Sequence, residues 1–206
     1  MKYLPICASI ILAVAGFLTP AGANETFPVL EPDAVRSAYE DARTDWLPLP
    51  NKVRDAFLVA EDRDFRNRPA GRSLITSSIT NWYPQPGMDR SFAVSMAIAR
   101  ALNREEILDW FIHGVYLGQG CFGVDGAAMA YFGKSSPELE LHEAALLAAI
   151  IQAPARLNPS LLPDRSLKRR NHVLKSMAKH GFISAEEASA AVAKPLSVRV
   201  PLGKCE

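Results

Sequence analysis

From Leu141 to Gln152 the chain is apolar at nearly every helical position, with Ala144, Ala145, Leu146, Leu147, Ala148, Ala149 and Ile150 in succession. A helix of that kind has no face to show to water, so other elements must surround it. The rest of the chain supplies them. Val53, Ala56, Phe57 and Ala60 recur at helical spacing, and helical patterns run over 32–42, 52–61, 89–102, 104–115, 122–132 and 164–180. Pro50 suits the first turn of the second helix. Gly133 and Gly181 stop two of the helices, and Pro154 and Pro159 stop the apolar one. Ser184-Ala185-Glu186-Glu187 reads as a capping box that opens a last helix. Only the tail, 197–202, alternates like a strand, and Thr76 to Thr80 read alone suggest a polar strand or turn. The expected fold class is mainly α.

Length and charge narrow the function classes. The chain has 206 residues, enough for one domain with a real core. It is 49% hydrophobic and 22% charged, an ordinary globular balance. A net charge of +1 lacks the basic excess that nucleic-acid binding calls for. The run Lys168-Arg169-Arg170 is read as a solvated helix face.

The first residues form a leader. Lys2 precedes an apolar run from Leu4 to Leu18, and Thr19-Pro20-Ala21-Gly22-Ala23 ends it with small residues. The run is shorter than the roughly 20 apolar residues of a spanning helix, so a signal peptide over 1–23 is preferred to a membrane anchor. Either reading exports the chain, to the periplasm or the outer face of the bacterial inner membrane. Residues 24–49 form an extension, 50–196 the main domain and 197–206 a C-terminal tail. Cys121 and Cys205 remain after the leader, either bridged or as two free thiols. No Cys/His spacing suggests a metal site.

Chemistry concentrates at Ala60-Glu61-Asp62-Arg63-Asp64-Phe65. Two adjacent carboxylates at a helix C-terminus repel each other and meet the negative end of the dipole, which tends to raise a pKa. A carboxyl group so tuned suits acid–base work on sugars. The plainer reading is a charged helix end salt-bridged to Arg63 or Arg66.

The residues beyond Phe65 favour the chemical reading. Arg104-Glu105-Glu106-Ile107-Leu108 leads to Gly114-Val115-Tyr116-Leu117-Gly118-Gln119-Gly120. Then come Gly126-Ala127-Ala128-Met129-Ala130-Tyr131-Phe132-Gly133-Lys134 and the leucine-rich segment from Glu143, closing on Gln152-Ala153-Pro154. In order and spacing this stretch resembles the family 51 glycosyltransferases, the polymerase module of class A penicillin-binding proteins and of monofunctional transglycosylases. The resemblance implies a lysozyme-like helical lobe with a reduced second lobe. It implies a reaction that joins lipid-linked disaccharide-peptide precursor into glycan strands of peptidoglycan. Carried over by position, Glu61 is the general base, with Asp62 beside it as a catalytic position. Phe65, Ser73, Thr76, Ser77, Arg104 and Lys134 fall on substrate-binding positions. Lys134 also suits the plainer role of a helix C-terminal cation. No cofactor is required, with room for a divalent cation at the donor pyrophosphate. The implied partners are the precursor or glycan strand, a membrane surface and other cell-wall enzymes, with no nucleic acid.

The chain departs from the family pattern in three places. The segment between Phe65 and Gly71 is short, and Ser77-Ser78 stand where the family carries a glutamine pair. Arg90 to Ala97 contains no glutamate where the family has its second one. Asp109 and His113 replace a family Glu and Asn. Trp82, Tyr83 and Met88 either meet a bilayer interface or, in the preferred reading, plug the core beneath a short loop. Alternatives to polymerisation are a non-catalytic module that binds precursor or glycan, and a wall-cleaving lysozyme-like enzyme.

Overall fold

The computed structural model describes residues 31–82 and 89–205; the leader and the loop positions Tyr83 and Met88 lie outside them. Among the described residues there are nine α-helices: α1 (Pro32–Ala42), α2 (Asn51–Glu61), α3 (Leu74–Thr80), α4 (Asp89–Ala101), α5 (Arg104–Gly114), α6 (Val124–Phe132), α7 (Leu141–Ile150), α8 (Pro163–Lys179) and α9 (Ala185–Ala193). The one β feature among them is an isolated bridge between Tyr116 and Phe122.

The apolar helix sits where its composition requires. Every residue of α7 from His142 to Ile150 is buried. α2 and α8 pack on it and on each other, and α9 closes over α8. The alanines of α7 keep its girth small, so both neighbours approach closely. α2 contributes Val53, Ala56, Phe57, Leu58 and Val59 to this core. Its start is one step off the expectation, because Pro50 is the N-cap and not a first-turn residue.

Two expectations fail for identifiable reasons. Residues 74–80 are helical (α3), not a strand or turn. Ser73 caps the helix by accepting the Thr76 N–H at 2.9 Å, and Ile75 and Ile79, four residues apart, are both buried. Cap and burial together outweigh the β preference of the Thr and Ile residues. The tail is not a strand either. Its amides at Arg199 and Gly203 donate to the carbonyls of Tyr131 and Ala130 at 2.8 Å, and Cys205 N–H donates to Gln119 O at 3.1 Å. It thus caps the end of α6 and laces onto the glycine turn. A Cys121–Cys205 disulfide, with Cα atoms 4.8 Å apart, fastens it there. In the same turn Gly123 has φ +81°, and a Cβ there would strike the His113 carbonyl. Trp82 behaves as a core plug, stacking on Phe111 with ring centroids 6.5 Å apart.

Because α7 holds the two flanking helices apart at a fixed distance, a cavity in it should be costly. Leu147→Ala should destabilise the fold by about 2–5 kcal/mol. Urea denaturation followed by circular dichroism measures it.

Candidate active site

α2 ends at Glu61, and the chain turns sharply at Asp62, whose N–H donates to Leu58 O at 2.9 Å. The two adjacent carboxylates then part company. Asp62 turns inward and is 4% exposed. Its Oδ2 accepts the Leu74 N–H at 2.9 Å, and Oδ1 lies 3.5 Å from Arg68 Nε. Leu74 opens α3, and its amide is among the donors that a helix start leaves unsatisfied. Asp62 therefore ties the end of one helix to the start of the next.

Glu61 is half-buried, and among the described residues its carboxylate makes no hydrogen bond or ion pair. Burial pushes its pKa above the ordinary glutamate value, the positive field of Arg169 opposes that rise, and the Asp62 charge adds to it. Arg169 comes from α8, which packs against α2. Its Nε is buried and has no hydrogen-bond partner. The triplet read as one solvated face is thus split three ways. Lys168 is exposed, and Arg169 flanks Glu61. Arg170 is fully buried, donating to Val192 O and Pro195 O at 3.0 and 3.1 Å. Adjacent helix positions point about 100° apart, which sequence adjacency conceals.

The remaining candidate residues are engaged within the protein. Phe65 is buried in the core, and Arg104 lies over its ring at 5.9 Å while Nη1 donates to Phe65 O at 2.7 Å. Ser73 and Thr76 are fully buried, with their hydroxyl oxygens 2.7 Å apart. Ser77 is exposed and donates back to Ser73 O at 2.9 Å. Lys134 Nζ is 2.7 Å from Oε1 of Glu143, a buried carboxylate whose Oε2 accepts the Glu140 N–H at 2.8 Å. That hydrogen bond raises the pKa of Lys134. The Ser73–Thr76 pair is sealed in the core, whereas Lys134, about a third exposed, commits one of its ammonium donors to Glu143.

His113 and Asp109, two departures from the family pattern, have partners that the sequence does not announce. His113 Nδ1 lies 3.0 Å from Asp125, beneath the stacked ring of Trp46 at 4.5 Å. Burial pushes the Asp125 carboxyl up, but hydrogen bonds from His113 and Ser136 outweigh that and hold it below the usual range. Asp109 is held above its usual range by burial, against the pull of Arg54 at 3.3 Å.

A surface cavity of about 810 Å³ is lined by Pro69, Gly71, Arg72, Phe92, Met96 and Arg104, among others. A second, about 270 Å³, shares Gly71, Arg72 and Phe92 with it and reaches Ser77 and Asn81. Glu61 is in neither wall. The cavities do hold two candidate positions, Arg104 and Ser77, on the side of α3 and α4. Among the described residues no three His, Cys, Asp or Glu side chains gather as metal ligands.

Comparison with known proteins agrees with this architecture. A family model described as Transglycosylase matches residues 89–178. Penicillin-binding protein 1A of Aquifex aeolicus is 37% identical over 178 residues, covering 73% of this chain and 24% of that protein. Penicillin-binding protein 1A of Haemophilus influenzae is 40% identical over 175 residues, covering 72% and 20%. The 2.6 Å crystal structure of the Haemophilus protein superposes with a TM-score of 0.52 at 30% identity, covering 73% of this chain and 17% of that one. The chain spans about a quarter or less of these relatives. The fold is mainly α, a lysozyme-like helical lobe.

The division of labour between the two carboxylates is measurable. Asp62→Ala should cost about 1–3 kcal/mol by leaving the Leu74 N–H unpaired, and Asp62→Asn, which can still accept, should cost less. Glu61→Gln should do the opposite. A carboxyl whose folded pKa is raised contributes most stability below its unfolded value, near 4.5, and loses it as pH rises through the folded value. Glu61→Gln should therefore melt higher than the parent at pH 7, and the gain should vanish below pH 4.5. Thermal melts across that range check the sign.

Proposed function

The chain carries a transglycosylase module of glycosyltransferase family 51, and from that premise we propose that it polymerises lipid-linked disaccharide-peptide precursor outside the cytoplasmic membrane, with Glu61 as general base. Membership supports a peptidoglycan glycosyltransferase-like function. The observation that carries the finer reading is the state of Glu61: half-buried, unbonded and held above its ordinary pKa at the end of α2. A carboxylate left without partners in a partly desolvated position costs stability. It also keeps both oxygens open to a sugar hydroxyl, which is what a base needs.

In this reading Glu61 takes the proton of the acceptor hydroxyl as that oxygen attacks the anomeric carbon of the donor. A new glycosidic C–O bond forms, and the bond from the anomeric carbon to the lipid pyrophosphate breaks. The proton rests on Glu61 until water removes it. The leaving pyrophosphate gains charge, which favours cations nearby. Arg104 and Lys134 are the cations at the matching positions. Arg104 lines the larger cavity, whereas Lys134 already has its charge partly neutralised by Glu143.

That pairing favours a second reading, a module that binds precursor or glycan and has lost turnover. The absence of a glutamate from 90–97 points the same way. One assay separates the two. Given lipid-linked precursor, the chain should make glycan polymer, and Glu61→Gln should lower the rate by about 10²–10⁴, the contribution typical of a general base. No polymer, together with precursor binding that Glu61→Gln leaves intact, would establish the second reading in place of the first.

A further inference from the structure

α8 presents mainly positive charge to solvent, with Asp164 in its first turn the one exposed acid. Arg165, Lys168, His172, Lys175 and Lys179 are all exposed and follow one another at intervals of three or four residues. Among the described residues none of them makes a hydrogen bond or ion pair to the protein. At about 1.5 Å per residue the stripe is about 21 Å long. The buried side of the helix lies opposite, formed by Ser166, Arg170, Val173, Leu174 and Met177.

Such a face opposes the stability of the helix that carries it. Like charges at i,i+3 and i,i+4 repel, as at Arg165 and Lys168 and at Lys175 and Lys179. Arg165 also lies in the first turn, where the helix dipole disfavours a cation. Intramolecular partners could have relieved this, as the acidic neighbours of Arg54 and Arg66 do elsewhere on the surface. On α8 Asp164, four residues before Lys168, is the one acid placed to do so, and among the described residues it forms no ion pair with the stripe. At the edge of the same face stands Arg169, whose buried Nε lacks an acceptor and whose field reaches Glu61.

We propose that the basic face of α8, with Arg169 at its edge toward Glu61, is a docking track for a peptidoglycan glycan strand, held through the carboxylates of its stem peptides. This rests on the wall-directed function proposed for the chain, though not on turnover. Charge complementarity argues for a polyanion, and continuity with Glu61 argues for the strand on which that residue would act. A bilayer is the weaker match. A helix lying in a membrane interface buries an apolar face there, whereas the apolar face of α8 is already packed in the core. The large apolar side chains exposed nearby, Leu161 and Leu162, precede the helix and are not part of the stripe.

The test is equilibrium binding of the full chain to soluble, uncrosslinked glycan strands. The comparison ligands are the same strands after an amidase has removed the peptides, and vesicles of mixed phosphatidylglycerol and phosphatidylcholine. Binding to intact strands should weaken with salt. It should fall about tenfold in the triple variant Lys168→Gln, Lys175→Gln, Lys179→Gln, at a factor of about two per exposed charge contact, while the triple Lys→Arg variant retains it. A chain that makes no polymer but binds strands in this pattern would retain the track and lose the polymerase reading. Undiminished binding by the folded Gln variant, equal binding of peptide-stripped strands, or capture by the anionic vesicles in place of strands would each overturn the proposal.

Discussion

α7 is buried at every position from His142 to Ile150, and that constraint places the rest of the candidate site. A helix buried on all sides must be flanked, and α2 and α8 are the flanks that touch it most. Once both lie on α7 they also lie on each other. That contact brings the end of α2 to the basic helix and sets Arg169 against Glu61, more than a hundred positions away in sequence. The alanines of α7 matter as much as its leucines here. Bulkier side chains would widen the layer and part the carboxyl from the guanidinium, whose interaction weakens as distance and screening grow.

The same placement separates two residues that look equivalent. Asp62 is buried and spends its oxygens on a helix start and on Arg68, a structural post that fixes where α3 begins. Glu61, one position earlier, is left unbonded and half-desolvated. Folding alone does not call for such a group, because an unpaired carboxylate moved partly out of water is a net cost. The cost is limited because Arg169 supplies positive potential without locking the carboxylate into a hydrogen bond.

Much of this is legible in the chain, and the failures share a cause. Helices with strong periodicity or clear stops, such as α1, α4, α5 and α8, lie within two residues of their expected ends. α3 is hidden because Thr and Ile favour strands locally, while the cap at Ser73 and the burial of Ile75 and Ile79 are set by tertiary contacts. The motif positions can be found by spacing, but their engagements cannot. Nothing near Lys134 announces that Glu143 will hold it, nor does Ser73 reveal that it will be sealed against Thr76. Pairing across helices depends on how they dock. The disulfide is an open alternative in the sequence for the same reason, since two cysteines 84 residues apart become neighbours only once the tail folds back on α6.

The charge distribution ties the candidate base to the basic face. The chain as a whole is nearly neutral at +1, yet α8 carries six Lys and Arg residues against one Asp, so the remainder is net acidic. Concentrating the positive charge on one helix attracts anions to its exposed face. The α8 cation whose charge bears on Glu61 is Arg169, which opposes the rise in pKa that burial imposes on the carboxyl. Adjacent helix positions point about 100° apart, so the moderating cation stands at the edge of the exposed stripe and not on it, and the face can gather an anion while the carboxyl keeps its own tuning.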